Sequence, residues 1–183
     1  MARRVLRRAE QEENQSSTIA VVAEGSMNDT INRLDQELLQ RWLKEARVEF
    51  HECGDCDGLH LGALRGIEGV VDSRLFIERY GLLITTELEV RPMAMLPLAA
   101  DLGRLNMDYP TLKIFLDVVD DATPQLVIAA VFPSKSGLSL SQCAQFVSST
   151  CEATRKLCAE CLELDFLFAE GQRAAAMPKS ALH

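Results

Sequence analysis

From Gly81 the chain reads GLLITTELEV, and Leu82, Ile84, Thr86, Leu88 and Val90 occupy every second position with more polar residues between them. A period of two places these five side chains on one face of an extended strand. Pro92 follows and ends the run, because proline cannot donate to a sheet ladder. The chain must therefore build a sheet with at least one covered face.

Other segments repeat the signal. VEFHEC and LHLGAL flank the turn-rich GDCDG, which predicts two short strands joined by a tight connection. GVVDSRLFIERYGLLITTELEV holds a turn near Arg79 to Gly81. TLKIFLDVV sets Leu112, Ile114, Leu116 and Val118 on one face, DDATP supplies a turn, and QLVIAAVF returns. Helical spacing occurs at three places. Asn28 or Asp29 caps a first helix carrying Ile31, Leu34, Leu38 and Trp42, with Arg33, Asp35, Glu37, Arg41 and Lys44 on its solvated sides. MAMLPLAADLGRLN predicts a short helix from about Pro97 to Asn106. Ser139 or Ser141 opens a last helix that runs to about Phe168. The order is helix, three to four antiparallel strands, short helix, two strands, long C-terminal helix, which is an α+β domain and not a parallel α/β sheet.

At 183 residues, with 48% hydrophobic and 25% charged, the chain suits one substantial domain. We place it at residues 26–168, preceded by a flexible basic and polar arm over 1–25 and followed by a tail over 169–183. Arg3, Arg4, Arg7 and Arg8 make the start of the arm basic, although the whole chain carries a net charge of −8. That balance argues against a general nucleic-acid binder, since phosphates select basic faces. No apolar run approaches the roughly 20 residues needed to span a bilayer, and MARRVLRR is not followed by the apolar stretch of a secretory signal, so a cytoplasmic protein is expected. GxGxxG, Walker-type and GxSxG patterns are missing from the sequence, so we expect neither an enzyme nor a bound cofactor.

HECGDCDGLHL, residues 51–61, is the sharpest chemical lead. Cys53 and Cys56 have the two-residue spacing that lets two thiolates reach one zinc, but a structural zinc needs four ligands. Nearby donors are His51, His60, Asp55 and Asp57, and a second pair, Cys158 and Cys161, would complete a four-cysteine set if the last helix packed beside the hairpin tip. Against that, Leu140, Cys143, Val147, Cys151, Thr154, Cys158, Cys161 and Leu162 recur at helical intervals, and free cysteine behaves as a small buried hydrophobe. The helix cysteines are accordingly expected in the core. Glu52, Asp55 and Asp57 surround the first pair and favour the protonated thiol, which disfavours redox chemistry. The expectation is a hairpin turn without a metal, with His51 and His60 facing each other across the strands. A zinc or thiol redox module is the rival.

The pieces LLQRWLKEARVEFHECGDCDGLHL, ELEVRPMAMLPLAADLGRLN, LKIFLDVVDDATPQLVI and SLSQCAQFV, in this order and spacing, resemble the YbjN family of bacterial sensory transduction regulators over roughly residues 37–150. The resemblance implies a fold similar to type III secretion chaperones, an α+β domain that presents surfaces to other proteins, and no established chemistry. The arginine-rich arm and the cysteines of the last helix depart from the family pattern. Arg91, Pro92 and Asp101 lie in the family block, where an Arg91 to Asp101 contact or helix-end hydrogen bonds would fix the corner between strand and helix. The chain is therefore expected to be a non-catalytic cytoplasmic regulator or chaperone-like protein in bacterial signalling or stress response, acting through an unknown protein partner and forming a homodimer. Met93, Met95, Leu96 and Leu98 are the candidate partner surface, because methionine repacks against varied neighbours.

Overall fold

The computed structural model describes residues 30–118 and 123–168. The basic arm, the Asn28 or Asp29 cap, the first part of the DDATP turn and the C-terminal tail lie outside them. In chain order the elements are α1 (Gln36–Glu45), β1 (Phe50–Glu52), β2 (Leu59–Leu61), β3 (Val70–Glu78), β4 (Gly81–Glu89), α2 (Met95–Asp108), β5 (Lys113–Asp117), β6 (Gln125–Pro133) and α3 (Leu140–Glu163). Single 3-10 turns at Gly62–Leu64 and Pro92–Ala94 lead out of β2 and into α2. The architecture is α+β, as the periodicities require. One antiparallel sheet has the order β1-β2-β3-β4-β6-β5.

The alternating run lies on β4 at the centre of this sheet. Leu82, Ile84, Thr86, Leu88 and Val90 are all buried. Their face meets Leu39, Trp42 and Leu43 of α1, Leu98 and Leu105 of α2, and Val147, Cys151, Leu157 and Cys158 of α3 in two adjoining core clusters. The three helices thus share one face, and β3 and β4 present Asp72, Arg74, Thr85 and Glu87 to the other, a common arrangement for antiparallel sheets. The β3–β4 hairpin turns at Arg79 and Tyr80. Gly81 follows at φ 142°, where an added Cβ would fall on the Phe132 carbonyl oxygen and within 2.5 Å of the Ser134 nitrogen.

The first helix starts later than its apolar spacing predicts. Asn32 is held extended by a bridge to Leu138, its N–H donating to the Leu138 carbonyl at 2.9 Å and its carbonyl accepting from Leu138 at 3.0 Å. Asp35 then caps α1 by accepting from the Leu38 N–H at 2.8 Å, so it satisfies an orphan amide of the first turn and is not a side residue of the helix. The buried stripe shifts to Leu39, Trp42 and Leu43, with Ile31 left exposed.

The other helix limits also differ. α2 begins at Met95 and continues past Asn106, whose amide instead clamps β5: it donates to the Ile114 carbonyl at 2.9 Å and accepts from the Ile114 N–H at 2.9 Å. Ser139 caps α3 in a reciprocal box with Gln142. α3 stops at Glu163 rather than Phe168, because Asp165 adopts φ 60° and Phe166 N–H returns to the Cys161 carbonyl at 2.9 Å. This is the Schellman ending, and α1 has the same one, with Arg47 at φ 56° and Val48 N–H bonded to Leu43 at 2.8 Å. Among the described residues no helix is long and apolar enough to cross a membrane.

Candidate functional site

The β1–β2 hairpin forms the outer edge of the sheet, with His51 paired opposite His60. Their rings stack at 4.7 Å between centroids, as the cross-strand reading expects. Leu59 and Leu61 point into the core, so His60 between them lies on the uncovered face, where its strand neighbour on β3 is Arg74. The turn from Cys53 to Gly58 then folds both thiols back over this imidazole. His60 Nε2 lies 3.0 Å from Cys53 Sγ and 3.3 Å from Cys56 Sγ, and the sulfurs are 3.1 Å apart.

The far side of the imidazole is fixed too. Nδ1 donates to Asp72 Oδ1 at 2.9 Å. The same oxygen accepts from the Ser73 N–H at 2.8 Å, and Asp72 Oδ2 pairs with Arg74 at 3.2 Å, while Arg74 also pairs with Glu87. The carboxylate is thereby held aimed at the ring, which directs the Nε2 lone pair toward the thiols.

These neighbours change the thiol chemistry expected from sequence. The Cys56 thiol, the Asp55 backbone and His60 all hydrogen-bond to Cys53 and bring its pKa down to about 7. Cys56 moves upward, chiefly because its proton is held by Cys53. His60 is raised, first by Asp72 and then by Cys53. The acidic turn predicts two protonated thiols; at Cys53 the directed hydrogen bonds work the other way, whereas Cys56 moves toward the protonated side as expected. A cleft of about 420 Å3 opens onto the two sulfurs, lined by Gln36, Glu52, Cys53, Cys56, Asp57 and Gly58.

Cys158 and Cys161 are elsewhere. Both are fully buried on α3 among Leu105, Leu157 and Phe166, and desolvation pushes each thiol up to about 12. The two CxxC pairs are not brought together; His60, not the second pair, lies beside Cys53 and Cys56. The reason is the helical phase of α3, which turns its cysteine row into the core.

The candidate partner residues separate. Leu98 is a core residue and Met95 is half-buried, whereas Met93 and Leu96 are 88% and 76% exposed. Sequence reasoning missed the rest of that surface. Ala100, Gly103 and Met107 are also exposed and continue the line from Leu96 at intervals of four, three and four, a signal available in the helical period once α2 is known to reach Asp108. Arg91 reaches Asp165, not Asp101. Asp101 instead pairs with Arg104, which also reaches Asp108 at 2.8 Å and Glu160 at 2.6 Å, while Tyr109 Oη donates to Glu160 at 2.8 Å. This network ties α2 to α3 at the floor of an open cleft of about 760 Å3.

Known proteins share this fold and part of this sequence. The YbjN family model, described as "Putative bacterial sensory transduction regulator", matches residues 35–163, a longer stretch than the resemblance over residues 37–150. Proteins named "Uncharacterized protein YbjN" from Escherichia coli (strain K12) and Shigella flexneri are each 38% identical over 111 residues, covering 61% of this chain and 70% of theirs. The crystal structure of YbjN from E. coli, described as "a putative transcription regulator", aligns with a TM-score of 0.73 at 32% identity, over 76% of this chain and 99% of that one. Since the match runs from the α1 cap through the hairpin site to the end of α3, the chain belongs to the YbjN family.

Proposed function

We propose that this protein is a non-catalytic cytoplasmic regulator that works through protein–protein contacts, the first of them with a second copy of itself across the outer face of α2. The observation that carries the reading is the uncharged exposed stripe Leu96, Ala100, Gly103 and Met107, preceded by Met93. Its intervals of four, three and four are those of a helix–helix seam. Its order is large, small, small, large. A two-fold axis crossing between Ala100 and Gly103 sets Leu96 against Met107 of the other copy and lets the backbones approach over the small residues, so the stripe complements itself. An exposed apolar line of this kind is costly to leave in water unless it is covered. The regulatory role is in keeping with the family description, and the acidic balance of the chain favours protein over nucleic-acid partners.

The test is light scattering across a concentration series with the full chain and with Leu96→Glu combined with Met107→Glu. A dimeric wild type and a folded, monomeric double variant are expected. A wild type that stays monomeric at high concentration, or a double variant that stays dimeric, overturns the proposed interface.

A further inference from the structure

Cys53, Cys56 and His60 offer three donor atoms that already lie 3.0 to 3.3 Å from one another, and among the described residues they are the single His/Cys/Asp/Glu group close enough to share an ion. We propose that these three residues form a Zn2+ site, with two thiolates and one imidazole as ligands and a fourth position open to the cleft beside β1.

The donor set selects the metal. Two thiolates exclude magnesium and calcium, which take oxygen ligands, and mixed sulfur and imidazole ligation is typical of zinc. Tetrahedral bonds of about 2.3 Å to sulfur and 2.0 Å to nitrogen would place the donors roughly 3.5 to 3.8 Å apart, so the site needs to open by about half an ångström. Room exists for this. Both cysteines are half-buried on the turn, and nothing lies within 4 Å of a Cβ built on Gly54 between them.

The surroundings are those that a metal-bound histidine uses. Asp72 holds the Nδ1–H, which fixes the tautomer that leaves Nε2 free to ligate, and Ser73 and Arg74 in turn hold Asp72. His51 is stacked on the ring and belongs to its support, not to the ligand set. Binding is a ligand exchange without redox change: each thiol releases its proton to solvent as its S–Zn bond forms, and His60 binds as the neutral imidazole. The ion would join the end of β1, the turn and the middle of β2, closing the outermost hairpin of the sheet. Its cleft-facing position would accept water, a carboxylate from the lining Glu52 or Asp57, or a donor from a docked protein.

The experiment titrates the reduced, metal-free full chain with Zn2+ against a chromophoric chelator, and repeats the titration with Co2+ to read thiolate-to-cobalt charge-transfer bands. One equivalent is expected, with protection of two thiols from alkylation. Cys53→Ser should weaken binding at least about 100-fold, and His60→Ala and Asp72→Asn should weaken it roughly 10- to 100-fold. Cys158→Ser with Cys161→Ser should leave affinity unchanged. Circular dichroism of the variants without metal confirms that each is folded, and Cys56→Ser serves as a second probe if one fails. Equal zinc affinity in wild type and Cys53→Ser, or full retention in His60→Ala, overturns the site. So does a cobalt complex lacking thiolate charge-transfer bands.

Discussion

Arg91, just past the central strand β4, is ion-paired to Asp165, the residue whose left-handed conformation stops α3. The guanidinium also donates to the Asp165 carbonyl at 3.1 Å, and the Arg91 N–H donates to the Phe166 carbonyl at 2.9 Å. The strand end and the helix end are thus fastened at one point, from which Leu167 returns to bridge Val90.

That contact defines a test of the helix stop. A non-glycine residue at positive φ costs roughly 1 kcal/mol, and aspartate tolerates the region better than alanine. Asp165→Ala should lower stability by about 1 kcal/mol, whereas Asp165→Gly should stay within about 0.5 kcal/mol, because relief of strain offsets a partly exposed ion pair and added chain entropy. Urea unfolding of the two variants checks the difference.

Ser73 and Thr86 face each other on β3 and β4, both buried, with their hydroxyls 2.9 Å apart. Thr86→Val would strand the Ser73 hydroxyl and should cost about 1–2 kcal/mol. Combining it with Ser73→Ala should cost less than the sum of the single changes, since neither polar group is then left alone. A double-mutant cycle with additive losses would contradict the pairing.

Thr154 is fully buried on α3 and its hydroxyl has no hydrogen-bond partner among the described residues. Replacing an unsatisfied hydroxyl by a methyl of similar shape removes a desolvation cost. Thr154→Val should therefore stabilise the protein by about 0.5–1 kcal/mol, visible as a higher urea midpoint at unchanged slope.

The acid limb of stability should depend on Arg104. Its hydrogen bonds hold the Asp101 carboxyl below its ordinary value, and Tyr109 together with Arg104 does the same for Glu160. A carboxyl with a depressed folded pKa contributes stability above its unfolded value, about 4, and loses it as pH falls through the folded value. The melting temperature should drop from about pH 5 to about pH 3, and Arg104→Gln should flatten that drop while lowering the neutral-pH value. Parallel pH profiles for wild type and variant would remove the network from acid stability.

Much of this protein is written in its local pattern. Leu82 to Val90 alternate because a strand does, and that period alone puts them on the covered face. GDCDG, Arg79 to Gly81 and Ser139 announce two turns and a cap through the conformational needs of single residues. The cysteine row of α3 is core by helical phase, which the tertiary structure repeats. Long-range pairing decided the rest. Asp35 became a cap because Asn32 was drawn to Leu138, about a hundred positions away, and the end of α3 is fastened to the end of β4 through Asp165 and Arg91. Local spacing made Cys53 and Cys56 neighbours, but the β2–β3 pairing brought Asp72 to His60 and so set the direction of its lone pair. Spacing along a chain fixes the face on which a side chain lies, whereas its charge and its partners are fixed by segments that the fold alone brings beside it.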